Sequence, residues 1–234
     1  MTIIYRISSN GYNKKKLPSI NNFNCLHNAW CTFEQHEWKI ISDNLDIHDD
    51  AFSLIKQLEK MSGITVDYVN QGSGAQTFNT ALDYVLTLPD DQIVYFVEND
   101  YLHLEGSTEI IEDAFHLGSD YCTLYLHPDK FIPPSLGGNP EVDSDGGYTT
   151  KLYQGKKSLF FLVNSTTMTF AAKVGTLRED EEILRRFTTG TYPRDYDMFL
   201  ALREKGRSLV CPVTSYSTHG EEAWKAPFVN WENI

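Results

Sequence analysis

The segment "VYFVENDYLHLEG", residues 94 to 106, closes an apolar run with two carboxylates, Glu98 and Asp100, set one residue apart. In an extended chain, side chains two positions apart project to the same side, so both can address one site. Adjacent like charges repel, and a hard divalent cation such as Mg²⁺ or Mn²⁺, completed by water and phosphate oxygens, answers that repulsion. The plain alternative is a solvated turn at a strand end. Arg6, inside the first apolar run, has the charge to meet a phosphate or a local carboxylate, and "RISSNGY" ends in small polar residues that let backbone approach a flat base. Asp195 and Asp197 stand at the start of "DYDMFLAL", where Asp195 as an N-cap contributes about 1 kcal/mol to a helix. His219 lies in the polar, glycine-containing "SYSTHGEEAW", unlike a core histidine, whereas His103, three residues past Asp100, is expected in a loop wall.

These side chains need a frame. Five β-branched or aromatic runs, "TIIYRI", "WKIIS", "ITVDYV", "IVYFVE" and "YCTLYLH", read as strands. Between them, Phe23, Leu26, Trp30 and Phe33 share one helical face, as do Ala51, Ile55 and Leu58 behind the cap candidates Asp49 and Asp50, and Phe78, Leu82 and Val85. A further helix starts near Ser107 and carries Ile110, Ile111 and Ala114. This alternation predicts an α/β sheet with helices on both faces, whose ligands collect beyond the C-terminal ends of the strands, the edge where Glu98 and Asp100 fall. Residues 128–158, rich in proline and glycine and without a period, predict a long loop or a small hairpin. "SLFFLVNSTTMTFAA" predicts paired strands, and helices are expected over 178–187 and 196–205.

The chain has 234 residues, 41% of them hydrophobic, which suits one sizeable core and one domain over 1–234. Its 32 acidic and 20 basic residues give a net charge of -12, and lysine clusters no further than "NKKKLP" and "GKKS", so nucleic acid is not an expected partner. Four cysteines without a CxxC pair fit free thiols in a reducing compartment, hence a cytoplasmic location. "MTIIYRI" reads as a first strand and not a signal peptide, and no transmembrane segment is expected.

The order of three motifs resembles that of glycosyltransferases with the GT-A fold. Glu98-Asn99-Asp100 is similar to their DxD metal motif, with Glu98 as a departure at the first position. "NQGSGAQTFNTAL", residues 70 to 82, resembles the Asn-x-Gly-x-Gly-Ala-x-x-Arg-Asn segment of the large inverting family. Asn70, Gly72, Gly74, Ala75 and Asn79 are in register, and Phe78 takes the arginine's place. "PRDYDMFLALREKG", residues 193 to 206, resembles the family's Glu-Asp-x-Asp helix start, with Arg194 replacing the glutamate and Asp195 at the aspartate base. "IYRISSNGYNK", "FVENDYLH" and "STHGE" resemble segments of the small glycosyltransferases of chlorella viruses that work on capsid-protein glycans.

The resemblance implies a Rossmann-related, GT-A-like mixed sheet that moves a sugar from a nucleoside-diphosphate donor, with a UDP-sugar favoured, to a hydroxyl of a glycan or glycoprotein. A viral capsid glycan, made in the host cytoplasm, is the acceptor that the chlorella-virus likeness implies. Residues 1–127 would serve mainly the donor and 128–234 mainly the acceptor and catalysis. Arg6, Ser8, Asp43, Gly72, Gly74, Asn79, Glu98 and Asp100 would face the donor, with Asp100 the main ligand of Mn²⁺ or Mg²⁺. Glu98 would bind metal through water or hold the donor's ribose or sugar, and His219 would touch metal or diphosphate or only bond its own loop. Asp43 has the place from which such enzymes bond a base, although an Asp-Asn strand end is also an ordinary turn. One of Asp195 and Asp197, which diverge on a helix, would take the acceptor's proton, Asp195 by its register, and the transfer would invert. Tyr148, Tyr153, Trp224 and Trp231 are candidates for the acceptor groove. Three other readings stay open: a glycoside hydrolase using Glu98 and Asp195, a sugar nucleotidyltransferase, and a sugar-binding module that stacks on aromatic rings without catalysis.

Overall fold

The first strand divides its side chains between two apolar clusters, Ile3, Tyr5 and Ile7 in one and Ile4 in the other. A strand buried on both faces needs apolar residues at successive positions, and this is why "TIIYRI" shows no polar alternation. The computed structural model describes residues 1–9 and 14–234. Residues 10–13, which end "RISSNGY" and fall within "IYRISSNGYNK", lie outside the described residues.

Three right-handed crossover units build the first half. Strand β1 (Thr2–Ser8), helix α1 (Asn22–Phe33), strand β2 (Glu37–Asp43), helix α2 (Asp50–Leu58), strand β3 (Ile64–Val69), helix α3 (Gly74–Val85) and strand β4 (Ile93–Glu98) follow one another. Side chains cap each helix start: Asn21 accepts from the Asn24 N–H, Asp49 from Ala51 and Ser73 from Gln76. The strands lie parallel in the order β3-β2-β1-β4, so the chain winds outward from β1 and then returns to its other side. Where that direction reverses, between β1 and β4, the connections part and leave a crevice beyond the strand ends.

The second half extends the sheet in mixed directions. Strand β5 (Tyr101–His103), helix α4 (Ser107–His116), strands β6 (Tyr121–Cys122), β7 (Leu152–Gln154), β8 (Leu159–Leu162) and β9 (Phe170–Lys173) come next. Helices α5 (Val174–Arg186) and α6 (Asp195–Glu204) and strands β10 (Leu209–Pro212) and β11 (Ser217–His219) complete the chain. The nine-stranded order is β3-β2-β1-β4-β9-β6-β10-β8-β7, with β9 antiparallel to both β4 and β6. Helices α1, α2 and α4 pack on one face, and α3, α5 and α6 on the other. This is the α/β architecture, with helices on both faces, that the alternation predicts.

Four expectations need correction. "SLFFLV" and "TFAA" do not pair with each other: β8 lies between β7 and β10, and β9 between β4 and β6. "YCTLYLH" gives a ladder only at Tyr121 and Cys122, because the Thr123 hydroxyl accepts from the Tyr125 N–H and bends the chain. Phe23 is exposed, and Cys25 joins Leu26 and Phe33 on the buried face of α1. Asp195 is not a cap residue, since it already lies inside α6, whose cap position belongs to Arg194.

One buried charge cluster ties the second half together. Asp180 of α5, fully buried, accepts from the Tyr121 hydroxyl at 2.8 Å, Lys205 Nζ at 2.6 Å and Arg207 Nε at 2.8 Å. It thereby joins α5 and β6 to the turn between α6 and β10. Removing it leaves the buried Tyr121 hydroxyl and the Lys205 ammonium without their anion, while Arg207 keeps Asp120 and Glu179, so Asp180→Ala should cost about 3 kcal/mol. Chemical denaturation would check this, and a loss below about 1 kcal/mol would show the cluster to be dispensable.

Candidate functional site

Arg6 and Glu98 are opposed residues of β1 and β4, and both project to the α3 side of the sheet. Register alone therefore brings guanidinium and carboxylate together at 3.2 Å, with Arg6 buried and Glu98 partly open. The Arg6 guanidinium also donates to the Gly74 carbonyl at 3.0 Å, and its carbon lies 5.6 Å from the centre of the Phe78 ring. Phe78, in the place of a family arginine, thus carries a cation supplied by the neighbouring strand. Burial pushes the Glu98 carboxyl up, against the pull of Arg6, and the charge of Asp100 adds to the rise.

Asp100 is balanced differently. Strand β11 pairs with β5 so that His219 lies opposite Tyr101, and His219 Nε2 reaches Asp100 Oδ2 at 3.2 Å. The Gly220 N–H donates to the Asp100 carbonyl at 2.7 Å. A Cβ at Gly220 would sit 2.9 Å from that same oxygen and 2.6 Å from Ile20, so only glycine allows the approach. Lys16 Nζ stands 3.8 Å from Asp100 Oδ2. Burial pushes the Asp100 carboxyl up, but the hydrogen bond and charge of His219 and the charge of Lys16 outweigh it and hold the carboxyl below its ordinary value. For His219 burial works downward, and the Asp100 partnership carries it above its ordinary value.

The third acid arrives from α6. Asp195 lines the same cleft, its Oδ1 accepting from the Tyr196 N–H at 2.8 Å, and burial pushes its carboxyl up to about 6. The preceding loop is fastened to α3: Ser73 Oγ donates to the Thr191 carbonyl at 2.8 Å and Asn79 Nδ2 to the Thr188 carbonyl at 2.9 Å. The motif around residues 70–82 therefore holds the segment that delivers Asp195.

Together these groups enclose a cleft of about 550 Å³ beyond the ends of β1 and β4. Of the residues singled out in the sequence, Arg6, Ser8, Asp43, Gly72 and Gly74 line it, with Glu98, Asp100, Asp195 and His219. Asn79 does not, because its amide is spent on Thr188. Asp197 does not either: it is exposed and faces Arg194 at 3.7 Å, and Arg194 in turn packs over Phe187. His103 is buried against the Tyr95 hydroxyl at 2.9 Å. Of the four aromatic candidates only Trp224 reaches the cleft; Trp231 is core, its Nε1–H donating to the Ala226 carbonyl, the Tyr148 hydroxyl accepts from the Asn164 N–H, and Tyr153 lies exposed on β7 at the sheet edge.

The cleft also holds Lys14, Lys16, Thr167 and His127, none singled out from sequence. Arg6, Lys14 and Lys16 each meet a carboxylate of the same lining, Glu98 at 3.2 Å, Glu221 at 2.7 Å and Asp100 at 3.8 Å, so the cations of the cleft are paired. Among the described residues no three His, Cys, Asp or Glu side chains form a metal-binding group. Asp100 and His219 bring a carboxylate oxygen and an imidazole nitrogen together; with the proton between them released, the pair would suit Mn²⁺ completed by diphosphate oxygens and water, and the Asp100 oxygen alone would suit Mg²⁺.

No known family pattern matches the chain, and no curated protein matches it by sequence. Solved structures do match in shape. GalNAc-T7, solved with UDP, GalNAc and Mn²⁺, superposes with a TM-score of 0.61 at 9% identity, over 93% of this chain and 42% of that one. S. aureus TarS gives 0.53 at 12% identity, over 92% and 36%. The 1–349 portion of TarS in complex with UDP-GlcNAc gives 0.54 at 11% identity, over 92% and 57%. The chain spans less than two thirds of each of these proteins. At such identities the likeness shows the fold, and that fold is the GT-A-like one that the motifs imply.

Asp43 has a structural duty besides lining the cleft. Its carboxylate accepts from the Gln71 N–H at 2.7 Å and from the Gly72 N–H at 2.9 Å, closing a turn in which Gly72 holds φ of 63°. Charged hydrogen bonds of this kind contribute roughly 1.5–3 kcal/mol each. Asp43→Ala, which removes both, should therefore lower stability by about 3–6 kcal/mol with no ligand present. A thermal melt matching that of the native chain would free Asp43 from this duty.

Proposed function

We propose that the chain is a glycosyltransferase that moves a sugar from a nucleoside-diphosphate donor, a UDP-sugar by preference, to a hydroxyl of a glycan or glycoprotein. The observation that carries this reading is the convergence of Asp100, His219 and Asp195 on one cleft at the reversal point of a GT-A-like sheet. The UDP, UDP-GlcNAc and Mn²⁺ of the structural neighbours support it.

In this reading Lys14 and Lys16 exchange their carboxylates for the diphosphate, and Ser8, Asp43 and the Gly72 turn border the nucleoside. Asp100 and His219 would hold a divalent cation once the proton between them is released. When bound, the cation stabilises the negative charge that builds on the departing diphosphate. Glu98, already neutralised by Arg6, is left to accept hydrogen bonds from the donor's ribose or sugar. The acceptor oxygen bonds to the anomeric carbon while the bond from that carbon to the diphosphate oxygen breaks, and the acceptor's proton passes to Asp195. A carboxyl raised to about 6 remains ionised at neutral pH yet is more basic than an ordinary aspartate, which suits proton acceptance. One attack by an acceptor on the face opposite the diphosphate inverts the anomeric centre. Residues 1–127 serve mainly the donor and 128–234 mainly the acceptor and catalysis. The resemblance to chlorella-virus enzymes favours a capsid glycan as acceptor and the host cytoplasm as the place of action; no helix among the described residues is long and apolar enough to cross a membrane.

A panel of UDP-, GDP- and dTDP-sugars, assayed for nucleotide release with and without Mn²⁺, tests the reading. Release from UDP-sugars that Mn²⁺ stimulates is expected; cleavage of a glycan with no nucleotide sugar present would favour a hydrolase, and binding of sugar without turnover a non-catalytic module. Calorimetry of UDP should show Asp100→Ala weakening binding in Mn²⁺ far more than in EDTA, and equal losses in both would mark a structural defect. For the base, Asp195→Asn should cut single-turnover transfer roughly 10²–10⁴-fold while Asp197→Asn keeps most of its rate. Native kcat/KM should fall about tenfold per pH unit below pH 6, as the carboxyl takes up its proton, and Asp195→Asn should lack that limb. An unchanged acid limb in the variant would transfer the role to another group.

A further inference from the structure

The cleft wall opposite the β4 edge contains an oriented histidine that neither the motifs nor the proposed reaction uses. His127 opens the turn "HPDK", residues 127–130, and its Nδ1 lies 2.9 Å from Asp129 Oδ1. Nδ1 also lies 3.1 Å from the Asp129 N–H, so Asp129 engages this nitrogen through both its backbone and its side chain, which orients the ring and leaves Nε2 as its second hydrogen-bonding atom. Asp129 is itself fixed, accepting from Asn139 Nδ2 at 3.3 Å and from buried Lys130 Nζ at 3.4 Å, which also reaches Ser165 Oγ at 3.3 Å. The imidazole packs between Tyr125 and Trp224, with ring centres 5.1 and 5.0 Å away. The Tyr125 hydroxyl donates to the Trp224 carbonyl, tying the two walls of this slot together. Burial lowers His127 below its ordinary pKa despite Asp129, which favours the neutral ring.

Nε2 has no hydrogen-bond partner among the described residues, although His127 and Trp224 both line the cleft with Asp195. An aromatic face beside an oriented ring nitrogen matches the chemistry of a pyranose, whose C–H faces stack on indole and whose hydroxyls both donate and accept. We propose that His127 and Trp224 form the binding subsite for the acceptor sugar, with His127 Nε2 hydrogen-bonded to one of its hydroxyls and Trp224 covering its ring. The inference rests on the transferase reading and adds to it the side of the cleft on which the acceptor lies. Asp129 acts through His127 as a positioning residue.

The test uses the full chain, the UDP-sugar that the donor panel selects, and methyl glycosides of glucose, galactose, mannose, xylose and rhamnose as acceptor probes. Glycoside-stimulated UDP release is followed at saturating donor, and UDP affinity is measured separately by calorimetry. His127→Ala and Trp224→Ala should each raise the KM for the stimulating glycoside about 10- to 100-fold while UDP affinity stays native, because only acceptor contacts are lost. His127→Gln, whose side-chain amide can accept from or donate to a hydroxyl, should recover part of the loss. Variants that lose UDP affinity as much as glycoside response would place His127 on the donor side and overturn the proposal. Unchanged glycoside KM in both alanine variants, or a native chain that turns over donor without response to any glycoside, would overturn it too. A native chain that turns over no donor at all would instead remove the transferase reading itself.

Discussion

Two carboxylates at the end of one strand cannot both be left uncompensated in a half-buried cleft, and much of the second half of this protein answers that constraint. Burial and the mutual repulsion of Glu98 and Asp100 both press toward protonation. The chain neutralises them by separate means. Glu98 is paired by Arg6 through the β1–β4 register, a contact within the sheet itself. Asp100 is paired by His219, which arrives from more than a hundred residues away on a three-residue strand whose close seat depends on Gly220. One carboxylate is thereby committed to the protein, and the other is left at the cleft with a nitrogen donor beside it.

The position of Asp195 depends on the same economy of contacts. Helix α6 carries it, but the loop that leads into α6 is held by Ser73 and Asn79 of the α3 segment. The turn before α3 is closed by Asp43 from the end of β2. A path of hydrogen bonds therefore runs from the nucleoside side of the cleft to the proposed base. Motif residues 70–82 are needed for this geometry even where, as with Asn79, they do not face the cleft.

How far the sequence discloses all this follows from the range of each interaction. The crossover units β1 to β4 are legible because their signals are local: apolar runs for strands buried on both faces, a 3.6-residue stripe for each helix, Asp49 and Ser73 as caps. The cleft edge at Glu98 and Asp100 is legible for the same reason. Strand β9 entering antiparallel between β4 and β6 is not, since partner choice among short strands is decided by tertiary packing. His219 carries a hint in its polar glycine loop, but its pairing with Asp100 depends on three β-ladder contacts. His127 closes the run "YCTLYLH", which reads as a strand, so its place beside Asp129 and in the cleft shows only once the chain is seen to leave the sheet after Cys122. Asn79 and Asp197 illustrate the reverse case, in which a residue in register with a motif turns to a neighbour instead of the cleft.

The three departures from the motif pattern are connected through these contacts. Phe78 leaves α3 without a cation, and Arg6 supplies one from β1, with its guanidinium over the Phe78 ring. A guanidinium so deep in the fold needs an anion, and Glu98, one methylene longer than aspartate, comes within 3.2 Å of it from the facing strand. Arg194, where a glutamate is common, pairs outward with Asp197 and packs on Phe187, which keeps a further carboxylate away from Asp195. Each substitution taken alone weakens a motif. Taken together they leave Arg6 and Glu98 as one ion pair in the cleft wall and turn the Arg194–Asp197 pair outside it, so that Asp195 is the one acidic residue that α6 brings to the cleft.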